Sequence, residues 1–440
     1  MQGLDFEALE TAARGQALRL AARAVERWLN ADTSDHVGPQ LACSCGQQAQ
    51  YRGRSEKSFE SALGTLRLER AYYYCPACQS GFCPRDQALS LEEFSLSPAV
   101  LRMVGSTAAL VSFVESSGLL QELAGVEVNA KQVERAAEAL GQQIAEDERR
   151  KVEPLSDTSL PSTLYLGIDG TGIPMRCSEL VGRSGKQDNG TAKTREVKLV
   201  TVWSAESKDE EGIPVRDLGS VSYSAAIESA ATHDTAAEYA EFTQRVQREA
   251  TRRGFQQVTR RVVLGDGAPY IWNIAGELFP DATQIVDRYH VKQHLSDVAK
   301  AIYGADPGQC QAWAKQRHEE LDDGRLQPLL EVLHQHARKC EEARKCADYI
   351  QRNQHRMRYA EFRAQGFCTS TGVVEAGCKL AIGTRLKRSG MHWTVRGANA
   401  IIALRCCKLS ARFEDFWERR ARPRLPRFQK FVVHAFFCFI

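Results

Sequence analysis

Two segments of this 440-residue chain carry an apolar run up to a single carboxylate and then drop into glycine: TLYLGIDGTGIPM (163–175), with Asp169, and VVLGDGAPYIWN (262–273), with Asp266. Each reads as a strand ending on its Asp. In an α/β sheet, groups at the carboxyl ends of strands face the functional crevice, so the two acids are candidates for one shared site. The glycine after each lets backbone, metal or phosphate come close, and Gly267 in particular is expected to leave such room. Tyr270 and Trp272 are expected to wedge the next helix against the sheet. A phosphatase built on an aspartyl-phosphate needs a nucleophilic Asp two residues before the Asp of DGT, where this chain has Gly167, which removes that chemistry. Two-metal phosphoryl transfer remains. It needs hard oxygen ligands for two Mg²⁺ ions and hence a third carboxylate. Glu375, at the start of a helix in VVEAGCK, is the best-placed candidate.

Cysteines form a second constellation. CSCG (43–46) and CPAC (75–78) flank two β-rich pieces, and a hairpin would bring Cys43, Cys45, Cys75 and Cys78 together as a zinc-ribbon-like Zn²⁺ site. The first pair is C-x-C, so Cys83 is a possible substitute ligand. The remaining cysteines are mostly scattered, as reduced thiols of a cytosolic protein would be. In DRYH (287–290), His290 suits a phosphate contact better than a Mg²⁺ ligand, because Mg²⁺ prefers oxygen. Asp287 reads as a helix N-cap with an accessory role as the alternative. Lys379, Arg385, Lys387, Arg388 and Trp393 follow the glutamate and suit phosphate neutralisation and base stacking, and Arg195, read as lying between strands, suits a backbone contact. Lys131, Gln132 and Arg135 open a helix after a short turn, where a helix-turn-helix reads base edges.

These residues need elements to position them. Residues 1–36 read as an N-terminal helix, 37–90 as the ribbon-like module, and 91–150 as a helical, helix-turn-helix-like region with Asn129 capping its second helix. A charged, proline-flanked linker (147–162) leads to an α/β region over 160–294, with strands near 163–175, 196–205, 215–225, 258–267 and 283–290 and a helix over 232–253. Residues 295–366 form an all-α insertion that could fold outward, and 367–440 carry the glutamate helix and a basic stretch, Arg405 to Lys430, with nine Lys or Arg against three acids. The net charge of only +3 puts the weight on such clusters. The acidic start lacks the regions of a signal peptide and no apolar run reaches the ~20 residues of a membrane span, so a cytoplasmic, nucleoid-associated bacterial protein without a membrane partner is expected. The closing FVVHAFFCFI reads as a packing element.

IDGTGIPM, AKTREVKL (192–199), GDGAPYIWN, FPDATQIVDRYHVKQHL (279–295) and TGVVEAGCKLAIGTRLKRSGMHW (371–393) together resemble the DDE transposases of the ISKra4 insertion-sequence family, in the family's order and over roughly residues 40–420. The resemblance implies an RNase H-like catalytic core interrupted by a helical insertion, with Asp169, Asp266 and Glu375 as the Mg²⁺-binding catalytic triad. It implies double-stranded DNA partners, both terminal inverted repeats and target DNA, and a homodimer or larger assembly that joins two ends. A domesticated, non-catalytic DNA-binding protein and a stand-alone RNase H-like nuclease are the rival readings.

Overall fold

The computed structural model describes residues 5–152, 160–185, 190–230, 238–304 and 306–421. They fall into two compact units: one holds the residues up to Gly141 and those from Glu414, the other runs from Gln142 to Phe413. Among the described residues no helix is long and apolar enough to cross a membrane. The tail FVVHAFFCFI, the basic residues beyond 421 and the centre of the charged linker lie outside the described residues.

The first unit opens with α1 (Phe6–Ala31), whose N-cap Asp5 accepts from the Ala8 N–H at 3.2 Å. A four-stranded antiparallel sheet follows in sequential order: β1 (Gln40–Ala42), β2 (Gln48–Ser61), β3 (Gly64–Cys75) and β4 (Ser80–Phe82). Gly64 closes the β2–β3 hairpin at a φ of 109°, a left-handed value that disfavours residues with a Cβ. Ala22, Val25 and Leu29 of α1 pack on Phe59, Leu66, Leu68 and Leu91. Then come α2 (Pro84–Leu89), α3 (Pro98–Ala108), α4 (Phe113–Leu119), a wide π-type turn over Leu120–Ala124, and α5 (Ala130–Arg150). Ser112 and Glu115 close a reciprocal capping box on α4. Asn129 caps α5 as the sequence predicts, its Oδ1 accepting from the Lys131 and Gln132 N–H groups at 3.0 Å each.

The second unit is built on a five-stranded mixed sheet. Its strands are β5 (Thr163–Pro174), β6 (Thr194–Trp203), β9 (Ser222–Ala226), β10 (Arg260–Gly265) and β11 (Thr283–Val286), in the order β11-β10-β5-β6-β9. Strands β5, β6 and β9 run antiparallel to one another, while β10 and β11 run parallel to β5 through the crossovers α6 (Glu241–Arg252) and α7 (Pro269–Leu278). The stretch expected as one strand over 215–225 divides instead: β7 (Ser207–Lys208) and β8 (Pro214–Val215) make a small ribbon before β9. The helix expected over 232–253 begins at Glu241: residues 238–240 are not helical and Ala240 is its N-cap, while 231–237 lie outside the described residues.

Helices alone fill the expected insertion: α8 (Arg288–Tyr303), α9 (Pro307–Asp322), α10 (Leu326–Ala337), α11 (Glu341–Asn353) and α12 (Tyr359–Ala364). They do not fold away from the sheet. Tyr359 donates its hydroxyl to the Val286 carbonyl at 3.0 Å, and Arg356 reaches Gln284 at 2.7 Å, both on β11. Next, α13 (Gly372–Gly377), a π-type turn over Cys378–Gly383 and α14 (Thr384–Leu386) form one continuous helical run, followed by α15 (Val395–Leu409); α16 (Phe413–Ala421) belongs, from Glu414, to the first unit. The π-type turn frees main-chain carbonyls, and the buried Arg405 of α15 binds those of Ala381 and Leu380.

Candidate active site

Register places the two aspartates. The parallel pairing of β10 with β5 ends at Leu264 opposite Gly167; Asp266 directly follows the last residue of β10 and Asp169 lies two residues further along β5, so both acids stand just beyond the paired segment. The expectation that β5 ends on Asp169 is corrected: β5 continues to Pro174, held by β6 alone. Asp169 therefore sits where the parallel part of the sheet stops, which is still the carboxyl-end crevice.

Strand alternation then decides the face. Gly167 and Asp169 point to one side of β5, with Thr201 and Leu199 opposite them on β6. Helix α13 lies on that side with almost no clearance. A Cβ at Gly167 would come within 2.1 Å of Val374 Cγ2, and one at Gly377 within 2.9 Å of Tyr223 and 3.1 Å of Leu199. The two glycines let helix and sheet touch, and Glu375, next to Val374, is delivered beside Asp169. Both acids line a cleft of about 480 Å³ with Thr171, Cys378, Lys379, Gly383, Thr384 and Lys387. Asp266 stands one strand away, its Oδ1 accepting from the Ala268 N–H at 2.9 Å. The donor set is all carboxylate, the hard oxygen ligands that Mg²⁺ takes. Among the described residues, the cysteine quartet is the one group of three or more potential ligands whose donor atoms all lie within 4.8 Å of one another, so the three acids are spread more widely than that.

Electrostatics tie them nonetheless. Burial pushes the Asp169 carboxyl above its ordinary range; the Gly170 N–H, at 2.6 Å, and the Cys378 thiol pull it back, while the charges of Asp266 and Glu196 add to the rise. Burial, then the Asp169 charge, pushes the Cys378 thiol up. The Tyr270 phenol is raised by burial and then by the charges of Glu196, Asp266 and Asp169, and the Lys198 ammonium lies 5.8 Å from its ring. Glu196, whose Oε1 a Cβ at Gly170 would meet at 2.5 Å, lies by strand alternation on the other face of β5 from Asp169 and is paired with Lys198 at 2.9 Å. Trp272, by contrast, is buried and takes the Arg356 guanidinium on its face at 4.5 Å.

The expected space at Gly267 is occupied. Its φ of 95° requires glycine, but a Cβ there would lie 2.5 Å from Tyr349 of α11, whose hydroxyl donates to the Asp266 carbonyl at 2.7 Å. Asp287 is the N-cap of α8, accepting from the His290 N–H at 2.9 Å. It has a second function: its other oxygen accepts from the N–H and hydroxyl of Thr371, the residue that caps α13. Asp287 is 1% exposed. His290 is half-buried against His294, their Nε2 atoms 3.1 Å apart, and burial, then His290, lowers the His294 pKa. Neither Thr371 nor Tyr349 carried a sequence signal, because each acts across 83 or 84 residues of chain.

The expected DNA contacts divide. Lys387 is exposed and its ammonium binds Thr171 Oγ1 at the rim of the acidic cleft; Lys379 and Arg388 are also exposed. Arg385 and Trp393 are corrections. Arg385 is fully buried with its guanidinium 5.4 Å over the Trp393 ring, and Trp393 is core, bridged to Met175 and donating its indole N–H to the Leu386 carbonyl at 3.0 Å. Arg195 lies within β6, not between strands, half-buried near Arg183 and Glu179. Arg405 and Arg412 leave the basic surface as well: Arg405 holds the π-type turn, and Arg412 pairs with the buried Glu249 at 2.9 Å. In the first unit Lys131, Gln132 and Arg135 are exposed on the opening turns of α5, Lys131 paired with Glu134 at 2.6 Å.

The cysteine quartet is assembled as the spacing predicts. Cys43 and Cys78 stand 3.6 Å apart, as do Cys45 and Cys75, close to the ~3.8 Å edge of a tetrahedron with 2.3 Å metal–sulfur bonds. The Ser80 hydroxyl, then the Cys43 thiol, draws the Cys78 thiol down to about 6, while Cys45, against the pull of the Gln47 N–H, is pushed up to about 12 by the Cys43 thiol and burial. Four cysteines so placed can hold a zinc ion. Cys83 is not among them; it precedes α2 and is buried, which raises its thiol pKa.

No protein-family model and no curated protein matches the chain. Among solved structures it is similar to the Drosophila P element transposase strand transfer complex, at 10% identity and a TM-score of 0.25, over 77% of this chain and 85% of that one.

Proposed function

We propose that this chain is a DNA transposase of the ISKra4 type, which cuts at the ends of an insertion sequence and transfers the freed 3′-hydroxyl into target DNA. The observation that carries the reading is the position of Asp169 and Asp266 just beyond the paired ends of adjacent parallel strands, with the Glu375 helix seated on Gly167. The strand order, three antiparallel strands extended by two parallel crossovers, supports an RNase H-like core. Asp169, Asp266 and Glu375 would hold two Mg²⁺ ions, which when bound activate water or a 3′-hydroxyl and stabilise the leaving oxygen. The protein's own contribution is positioning. Thr171 holds the Lys387 ammonium over the cleft, where it offsets phosphodiester charge, and Tyr349 and Asp287 fix the segments that carry Asp266 and Glu375. Cys43, Cys45, Cys75 and Cys78 hold Zn²⁺ and shape a module that, with the exposed start of α5, reads the terminal repeats. Joining two ends requires a dimer or larger assembly.

The test is strand transfer on linear DNA bearing the element's own ends. Mg²⁺-dependent joining that Asp266→Asn abolishes supports transposition. Cleavage without joining makes the chain a nuclease, and tight binding without cleavage in any divalent metal makes it a non-catalytic DNA-binding protein.

A further inference from the structure

Helix α1 shows two different faces. Ala22, Val25 and Leu29 rest on the β2–β3 hairpin, yet no residue of the 26-residue helix is fully buried. Along another face Phe6, Leu9, Ala13, Leu20, Ala24 and Trp28 recur at helical spacing and stand in solvent: Phe6 is 68%, Leu9 49%, Leu20 73% and Trp28 55% exposed. A continuous exposed apolar stripe of this kind marks an interaction surface.

The chemistry of the stripe specifies its partner. Charge along α1 is unevenly divided: Asp5, Glu7 and Glu10 against Arg14 in the first half, and Arg19, Arg23 and Arg27 against Glu26 in the second, with Arg14 bound to the Leu123 carbonyl and Glu26 to the Arg67 N–H. A second copy packed parallel would set acid on acid, arginine on arginine and Ala13 on Ala13. Packed antiparallel about a two-fold axis between Gln16 and Ala17, each chain's Leu9 falls opposite the partner's Ala24, Ala13 opposite the partner's Leu20, and Phe6 within one residue of the partner's Trp28. Large then meets small or ring meets ring at each level, and the acidic turns lie beside the partner's arginines. The helix is about 39 Å long at 1.5 Å per residue, so the contact extends along several turns.

We infer that α1 is a homodimerisation element, pairing antiparallel with the α1 of a second copy. This interface needs neither DNA nor divalent metal, so its test is separate from that of the transposase reading. The measurement is sedimentation equilibrium of the full chain without DNA. The wild type is expected to be a dimer at micromolar concentration. Leu20→Glu is expected to raise its dissociation constant at least ~10-fold while leaving helix content by circular dichroism and bound zinc unchanged, since Leu20 is 73% exposed. Glu7→Arg with Glu10→Arg is expected to weaken the dimer, and adding Arg23→Glu with Arg27→Glu to restore it, which only antiparallel pairing allows. A monomeric wild type, a dimer indifferent to Leu20→Glu, or a four-fold charge swap that fails to restore association each overturns the inference.

Discussion

Gly167→Ala tests how the acidic cleft is built. The added Cβ would lie 2.1 Å from Val374 Cγ2 and 3.0 Å from Trp203. The optimum between carbon atoms is about 3.5 Å, so the first contact falls short by about 1.4 Å. Val374 is fully buried and its β-branched side chain has little rotamer freedom, so the helix must lift, not the side chain turn. Overpacking of this kind costs about 1–3 kcal/mol. Lifting α13 also carries Glu375 away from Asp169, and a misplacement of ~1 Å in a catalytic constellation costs about 10²-fold in rate. Gly167→Ala is therefore expected to remain folded with a lowered denaturation midpoint and to lose roughly 10²-fold in Mg²⁺-dependent strand cleavage. Val374→Ala removes the methyl group in the way, so the double variant should recover much of that rate while keeping its own cavity cost. Denaturant titration and single-turnover cleavage measure the two effects separately. Full activity in Gly167→Ala, or a double variant as slow as the single one, would refute the seating of Glu375 through this contact.

Other perturbations address the remaining parts of the site. Asp287→Asn should keep the α8 cap but turn an N–H donor towards the Thr371 N–H and hydroxyl, lowering stability by about 1–3 kcal/mol in chemical denaturation; an unchanged midpoint would remove the tie to α13. The raised Asp169 pKa means that the folded state holds this proton more tightly than the unfolded chain, so its contribution is full below the ordinary carboxyl value of 3.8 and lost as pH rises through the folded value. Asp169→Asn should accordingly raise the melting temperature of the metal-free protein at neutral pH, with a gain that shrinks on acidification, while cleavage is lost. Lys387→Ala should weaken DNA binding evenly across sequences and reduce the slope of log K against log salt by about 1 in fluorescence anisotropy. Cys75→Ser should release the zinc signal in a metal assay and unfold the β1–β4 sheet, seen as rapid proteolysis within residues 37–90.

Features encoded locally were legible in the sequence. The apolar runs before Asp169 and Asp266 identify two strands of one sheet, the cysteine spacing gives the quartet, and the strand-free charged stretch gives α9 to α12. Features set by distant partners were not. Nothing local shows β5 continuing past Asp169, because β6 alone holds that extension. Arg385 and Trp393 follow the glutamate among solvent-loving neighbours, yet the bridge from Trp393 to Met175 draws the segment inward and the guanidinium stacks on the indole. The Gly267 turn suggests open space only until Tyr349 is placed over it. Glu196 reads as one charge among many until the register sets it opposite Gly172, from where its carboxylate reaches over Gly170.

The ties around the acids share one design. Asp266 is held at its carbonyl by Tyr349 of the helical insertion, and Asp287, at the insertion's first helix, holds Thr371 at the start of the glutamate helix. Glu375 enters the sequence only after five intervening helices, so chain connectivity alone would leave its position loosely defined. Closing a loop of that length costs little more entropy than closing a short one, since the cost grows only logarithmically with length. What the distance demands is an anchor at each end. The insertion supplies both, Tyr349 to the segment of one acid and Asp287 to the helix of another, and Gly167 and Gly377 let the anchored helix meet the sheet. The inserted helices are thus part of the apparatus that sets the spacing between Asp266 and Glu375, and changes within α8 or α11 should act on the acids without touching them.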